Sequence, residues 1–146
     1  MTTRQADPRV ERIIDLFEHF EPADVDRLGQ FYSAGASFKD PFNEVRGLDP
    51  IKAVYRHMFD SLDEPRFVVK DAIVQGDHCV LTWDFHFRMR RLRRDPQTVR
   101  GASHLSIDGD GRIGMHRDYW DAAEELYEKL PLIGGLMRWL KARAAS

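Results

Sequence analysis

Two side chains that suit proton transfer lie in segments with the alternating pattern of a β-strand. Asp118 belongs to residues 112–120, and His86 lies in the middle of residues 78–90. A positioned carboxylate is a general base or acid, and an imidazole changes its charge near neutral pH. These residue types predict acid–base chemistry that needs no metal and no organic cofactor, provided that the fold brings such groups into one pocket.

The sequence Asp-Gly-Asp-Gly at residues 108–111 predicts a hairpin between residues 98–107 and 112–120. If Gly109 and Asp110 are the two turn residues, Gly101 faces Asp118 and Ser103 faces His116 across the strands. One side of this hairpin then carries polar and apolar residues together: Gly101, Ser103, Leu105, Gly114, His116, Asp118 and Trp120. We expect this side to line a pocket, and the alternative is that Asp118 pairs with an arginine at the strand end.

The first part of the chain has the pattern of helices. An Asp7-Pro8 pair is typical of a helix start, and a buried stripe then follows at Val10, Ile13, Ile14 and Phe17. A short second helix, a strand at residues 36–40 and a third helix that starts at Asp49-Pro50 come next. Strands dominate after residue 66, so the order predicts an α+β fold in which helices cover one face of an antiparallel sheet.

Two stretches of the sequence resemble known enzyme families. Residues 31–41 (FYSAGASFKDP) and 46–51 (RGLDPI) resemble the segment that carries the general-base aspartate of ketosteroid isomerases. Residues 111–121 (GRIGMHRDYWD) resemble the last strand of limonene-epoxide hydrolases. With the order of elements over residues 8–122, the chain resembles the nuclear transport factor 2-like superfamily, in its SnoaL-like branch.

The resemblance implies a cone-shaped domain that encloses one small, largely apolar ligand. Asp40 takes the base position of the isomerases, and Asp118 matches an aspartate of the hydrolases' catalytic set. We expect Phe38, Tyr55 and Trp120 to bind the ligand beside these carboxylates. Residues 1–146 are then one domain, with a helical extension at residues 122–146.

The catalytic sets of both families are only partly present. The tyrosine of the isomerases' oxyanion hole falls on Leu16 or Phe17, and their protonated aspartate falls on or near Ser103. In the hydrolase comparison, Phe38 and Asp40 stand where a tyrosine and an asparagine are expected. Neither reaction is therefore predicted in its known form, and one fold of this kind hosts many functions.

The faces of the strand at residues 78–90 are open to two interpretations. Simple alternation buries Leu81, Trp83, Phe85, Phe87 and Met89, and points Asp84 and His86 outward. The family register instead points Asp84 and His86 into the pocket, near the arginine and aspartate positions of the hydrolases. Both arrangements hold if the aromatic face is buried in a homodimer, which we predict through the sheet face away from the helices.

Composition excludes several other functions. The net charge of −2 gives no overall attraction to nucleic acid or to an anionic membrane, and the arginines at residues 88–94 are typical of a solvated hairpin tip. The histidines lack zinc-ligand spacing, and no apolar stretch is long enough to span a bilayer. The lone Cys79 and an N-terminus without an apolar run predict a cytoplasmic protein.

Two functions remain after these exclusions. The first is a SnoaL-like enzyme in which Asp118 and Asp40 perform acid–base chemistry with His86 as a partner. The second is a binding domain or an oligomerising accessory protein without catalysis on the same scaffold. The apolar side of residues 126–140 allows packing on a pocket mouth, on a second subunit or on a membrane surface.

Overall fold

The computed structural model describes residues 7–91, 94–125 and 133–145. Its helices are α1 (Pro8–Glu18), a 3₁₀ helix (Pro22–Gln30), α2 (Leu48–Ser61), α3 (Ala122–Glu125) and α4 (Ile133–Ala144). Its strands are β1 (Tyr32–Lys39), β2 (Glu44–Arg46), β3 (Leu62–Gln75), β4 (His78–Met89), β5 (Gln97–Ile107) and β6 (Ile113–Tyr119). The part of the apolar tail at residues 126–132 lies outside the described residues.

The helix starts follow the local sequence in one case and depart from it in another. Asp7 caps α1 by accepting a hydrogen bond from the backbone N–H of Arg9 at 3.0 Å, and the predicted stripe of α1 is buried. The expectation that Asp49 caps α2 is wrong, because α2 begins at Leu48. Gly47 stands at its start with a φ of 100°, a left-handed conformation that glycine adopts without strain.

Six strands of the described residues form one curved, open sheet in the order β2-β1-β6-β5-β4-β3. Neighbouring strands are antiparallel except β1 and β6, which pair in parallel. This pair departs from the fully antiparallel sheet expected from the sequence. It brings the end of β1 beside the end of β6, so that Asp40 and Asp118 reach the same end of the sheet.

The β5–β6 hairpin has the predicted faces and a different register. Ser103 pairs with Asp118 and Leu105 pairs with His116, two residues away from the expected pairing. The turn is longer than two residues: the Asp108 N–H donates to the Arg112 carbonyl, and Gly111 takes a φ of 84°. Because this displacement is an even number of residues, Ser103, Leu105, His116 and Asp118 keep their predicted side. Near the turn the register shifts again, and Ile107 pairs with Ile113.

The aromatic side of β4 faces the helices and forms part of the core. Leu81, Trp83 and Phe87 are buried, and Phe85 and Met89 pack against them. Alternation is therefore the correct interpretation of this strand, and Asp84 and His86 lie on the outer face of the sheet. Large apolar side chains gain more from burial than a carboxylate or an imidazole, so they decide the register.

No helix among the described residues is long and apolar enough to cross a membrane.

The indole ring of Trp83 packs directly against Gly101, where a larger residue would collide with it. A Cβ atom at residue 101 would lie 2.5 Å from Trp83 Cη2 and 3.0 Å from Trp120 Cβ. We expect Gly101→Ala to lower the free energy of unfolding by about 1–3 kcal/mol, because the added methyl group displaces a packed ring. Urea unfolding and near-ultraviolet circular dichroism measure this change.

Gly109→Ala is the matched control, since nothing lies within 4 Å of the added Cβ atom there. It should leave the unfolding free energy nearly unchanged. Equal stability of the two variants would show that Trp83 does not occupy this position.

Candidate functional site

A cavity of about 260 Å³ opens between α2, the concave face of the sheet and the turn that follows β1. Aromatic rings form a large part of its wall: Phe38, Phe42, Tyr55, Phe67, Trp83, Phe85, Phe87 and Trp120. Asp40 and Asp118 are the carboxylates among its described lining residues. The site is therefore apolar over most of its surface and acidic at the end where β1 and β6 meet.

Asp118 is held in place by two donors that converge on one carboxylate oxygen. Ser103 Oγ lies 2.5 Å from Asp118 Oδ1, and His116 Nε2 lies 2.6 Å from the same oxygen. Trp83 Nε1 in turn donates to Ser103 Oγ at 2.9 Å. An indole N–H only donates, so the hydroxyl proton of Ser103 is left for Asp118.

The network continues from His116 to a pair of buried tyrosines. The Tyr32 hydroxyl lies 2.7 Å from His116 Nδ1 and 2.8 Å from the Tyr55 hydroxyl. Burial raises the pKa of Tyr32 and of Tyr55 above the usual tyrosine range, and nearby negative charge, including that of Asp118, adds to the effect. Both hydroxyls therefore remain protonated and serve as hydrogen-bond donors.

The direction of these hydrogen bonds depends on the charge of Asp118. When Asp118 is ionised, His116 Nε2–H donates to it, Tyr32 donates to His116 Nδ1, and Tyr55 donates to Tyr32. When Asp118 carries a proton on Oδ1, it can donate to His116 Nε2. His116 Nδ1–H then donates to Tyr32, and Tyr32 donates to Tyr55. The network thus links the protonation of Asp118 to the orientation of the Tyr55 hydroxyl.

The walls around His116 leave little room for other orientations of the ring. His116 is 4% exposed, and Phe38 lies edge-on to it with ring centroids 4.7 Å apart. Phe17 makes a second edge contact at 5.9 Å, and Tyr32 stacks nearly parallel at 6.0 Å. His116 therefore acts as a fixed support for Asp118 rather than as a mobile side chain.

Asp40 has two roles in the structure. Its Oδ1 accepts hydrogen bonds from the backbone N–H groups of Phe42 and Asn43, at 2.8 and 2.7 Å. The Asn43 side-chain amide adds contacts at 3.1 and 3.2 Å. Asp40 thus caps the turn after β1, as Asp-Pro pairs often do, and it also lines the cavity.

The other ligand-binding candidates divide into three groups. Phe38, Tyr55 and Trp120 line the cavity beside the carboxylates, as expected. Ser103 and His116 lie behind Asp118, next to a small void of about 30 Å³. Leu105 does not reach the cavity, because it is fully buried in the core where β5 meets β6.

The structure does not bring Asp84 and His86 into this site. Asp84 lies 3.2 Å from Lys70 Nζ, and His86 Nδ1 lies 2.9 Å from the Thr98 hydroxyl, both on the outer face. The family register had placed them in the pocket, and the burial of their aromatic neighbours on β4 prevents this. His86 is therefore not in a position to act on a ligand held in the cavity.

Sequence reasoning missed the part that Tyr32 plays. Residue 32 fell between the expected second helix and the expected strand at 36–40, whereas β1 already begins there. The i, i+2 spacing of His116 and Asp118 on one strand face was the available signal for their contact. No comparable signal linked either residue to a tyrosine more than 80 positions earlier in the chain.

A pair of histidines lies on the outer face of the sheet. His78 Nδ1 and His104 Nε2 are 3.0 Å apart. Within the part of the chain that the structure describes, no group of three or more histidine, cysteine, aspartate or glutamate side chains is arranged to hold a metal ion.

The buried tyrosines predict a loss of stability at high pH. The unfolded chain releases these protons at about pH 10, whereas the native state retains them because its tyrosine pKa values are raised. Above that pH the native state binds more protons, so the free energy of unfolding falls as pH rises; below it, the contribution is fully present. Urea unfolding at a series of alkaline pH values measures the slope.

The double variant Tyr32→Phe/Tyr55→Phe should show a shallower decline with pH, because it lacks the two groups. Tyr119→Phe, which removes an exposed hydroxyl, should keep the wild-type slope. If the double variant and the wild type lost stability in parallel, the two hydroxyls would not be buried as described.

The chain shares its fold with solved structures of several bacterial proteins. A protein with a ketosteroid isomerase-like fold from Catenulispora acidiphila, in complex with trimethylamine, has 18% identity and a TM-score of 0.73 over 87% of this chain and 96% of its own. A candidate SnoaL-like polyketide cyclase from Jannaschia has 17% identity and a TM-score of 0.69 over 84% and 94%. An LEH-like epoxide hydrolase from M. tuberculosis has 17% identity and a TM-score of 0.64 over 94% and 92%.

At these identities the structural likeness establishes the fold, and the family rests on the sequence. No curated protein matches the chain. Residues 13–116 match the SnoaL-like domain family, a span that runs from the core of α1 to the histidine that supports Asp118. The chain belongs to the SnoaL-like domain family, within the nuclear transport factor 2-like superfamily.

Proposed function

We propose that this chain is a small-molecule enzyme of the SnoaL-like type that uses carboxylate acid–base chemistry on a small, largely apolar ligand. The observation that carries the proposal is the position of Asp118. Its side chain is 15% exposed, lines the cavity, and has one oxygen held by Ser103 and His116. A carboxylate fixed in this way beside an apolar cavity is the arrangement that a general base needs.

In this proposal Asp118 removes a proton from the ligand. Oδ1 is occupied by its two donors, so Oδ2 is the oxygen that receives the proton. The hydrogen bonds from Ser103 and His116 keep the carboxylate oriented towards the cavity. Asp40 is the second carboxylate of the site; in its protonated form it donates one proton to the ligand for each proton that Asp118 removes.

The reaction is of the isomerase, hydrolase or cyclase type. A candidate polyketide cyclase and an epoxide hydrolase share the fold, and the scaffold of another neighbour holds trimethylamine. The present site lacks the residue sets of steroid isomerases and epoxide hydrolases: Leu16 and Phe17 are buried apolar residues, and Asp84 lies outside the cavity. The reaction therefore depends on Asp118 and on Ser103 and His116, which hold it.

Asp118→Asn tests the catalytic role directly. The amide keeps the shape of the side chain and an oxygen for Ser103 and His116, but it does not accept a proton as a carboxylate does. Turnover of any ligand that the wild type converts should fall by at least about a hundredfold, the typical contribution of a general base. Ligand affinity should change much less.

Asp15→Asn is a matched control, because Asp15 is exposed on α1 and pairs with His19 away from the cavity. It should keep wild-type turnover. If Asp118→Asn bound and converted ligand as the wild type does, the general-base role would be wrong. If the wild type bound ligands of this class and converted none, the non-catalytic binding domain would be the correct function.

We also propose that the chain forms a homodimer through the outer face of the sheet. Ile73 and Tyr119 are large apolar side chains that are exposed on this face, and Val80, Ala102 and Met115 are partly exposed between them. Among the described helices, α1 and α2 pack on the other side. A second copy of the same face would bury these residues in a self-complementary contact.

Ala102→Glu should weaken such a dimer by at least about tenfold, because it buries an unpaired charge near the centre of the contact. Ala53→Glu places the same substitution on the exposed surface of α2 and should leave assembly unchanged. Light scattering over a range of concentrations measures both. A monomeric wild type, or a dimer that is indifferent to Ala102→Glu, would contradict the proposal.

We place the protein in the cytoplasm as part of the same proposal. Cys79 is a free, buried cysteine in β4, and burial raises the pKa of its thiol to about 11. It is therefore a packed apolar side chain and not a nucleophile.

A further inference from the structure

We propose that the ligand of this cavity carries a positively charged, alkylated amine on its apolar body. The inference rests on the proposed function and narrows its ligand class. It depends on the charge of the cavity, on the identity of its walls and on the unmatched oxygen of Asp118.

The acidic end of the cavity has no cationic side chain opposite it. Asp40 and Asp118 line the cavity, whereas no lysine or arginine does so among the described residues. The nearest cations in sequence, Lys39 and Arg117, line an adjacent groove outside the cavity, which Asp40 and Asp118 also border. Lys39 Nζ is 3.0 Å from Glu44, and the Arg117 guanidinium stacks over Tyr119 at 4.8 Å.

The hydrogen bonds of the carboxylates come from groups other than lysine and arginine side chains. Asp40 is bound by backbone N–H groups and by the Asn43 amide. Asp118 receives its bonds on Oδ1 from the Ser103 hydroxyl and from the ring of His116. No donor to Asp118 Oδ2 is found among the described residues, so this oxygen is available to the positively charged end of a ligand.

The walls suit a cation that is bulky and weakly hydrated. Phe67 lies 5.4 Å from Trp83 and 4.3 Å from Phe85, and Phe42 lies 5.5 Å from Trp120, all as centroid distances between cavity-lining rings. Aromatic faces attract alkylated ammonium groups, with larger effects where water is excluded. An anionic ligand would meet carboxylates here without a compensating positive charge.

His57 is the titratable nitrogen among the described residues that line the cavity. The comparison of a cationic with a neutral probe is made at about pH 8, above the ordinary pKa of an imidazole. Tyr55 also faces this region and stays protonated, because burial raises its pKa.

The test uses two probes of the same shape, meta-hydroxyphenyltrimethylammonium and meta-tert-butylphenol, which differ by the positive charge. Isothermal titration calorimetry at low ionic strength measures the affinity of each for the full chain. The cation should bind about tenfold more tightly than the neutral probe, or better. Asp118→Asn should reduce this preference to less than about threefold, because the amide that replaces the carboxylate has no charge.

Two further variants separate the cavity from the rest of the surface. Phe85→Leu removes an aromatic face and keeps the apolar volume similar, so it should lower the affinity for the cation more than that for the neutral probe. Asp15→Asn removes the same charge from the exposed face of α1 and should leave the preference unchanged. Circular dichroism establishes that each variant is folded.

The possible outcomes are distinct. If the neutral probe binds as tightly as the cation, the amine inference is wrong, whereas the proposed binding of a small apolar ligand in the cavity is supported. If the cation is preferred but Asp118→Asn has no more effect than Asp15→Asn, the cation binds elsewhere and the inference is also wrong. If neither probe binds, both the amine inference and the small apolar ligand are wrong.

Discussion

The convergence of Ser103 and His116 on one oxygen of Asp118 is the constraint on which the rest of the site depends. A carboxylate that is mostly buried is costly unless donors satisfy it, and these two bonds supply the donors. Each donor is fixed by a further group: Trp83 holds Ser103, and Tyr32 holds His116. The second oxygen of Asp118 is therefore left for a ligand, at a position set by the core.

The fold supplies this arrangement through two features of its sheet. The β5–β6 pairing places Ser103 opposite Asp118. The parallel β1–β6 pairing places Tyr32 and Phe38 beside β6, the strand that carries His116 and Asp118. The helices then close one side of the curved sheet and leave an aromatic cavity next to the polar network. Stability and chemistry share these residues, so changes at the network should affect both.

The fold class, the buried stripe of α1 and the two sides of the hairpin could be predicted from the sequence. These predictions depend on the spacing of apolar residues and on the alternation of side chains along a strand, which small errors in element boundaries do not change. The pairing of residues across the hairpin could not be predicted from the sequence. The turn is longer than expected, so Ser103 pairs with Asp118 instead of His116, on the same face of the sheet. The family register for Asp84 and His86 was wrong, as the burial of Trp83 and Phe87 outweighs a distant likeness. Tyr32 joins the site only through tertiary contacts.

The hydrogen bond from His116 Nε2–H to Asp118 Oδ1 is the contact on which the proposed function rests. Two-bond ¹H–¹⁵N correlation spectra of the histidine side chains at neutral pH measure this most directly. We expect His116 to carry a proton at Nε2 that is strongly deshielded by Asp118 and moves upfield in Asp118→Asn, and its Nδ1 to lie in a hydrogen bond with Tyr32. A His116 protonated at Nδ1 alone, or one whose signals are the same in Asp118→Asn, would contradict this expectation.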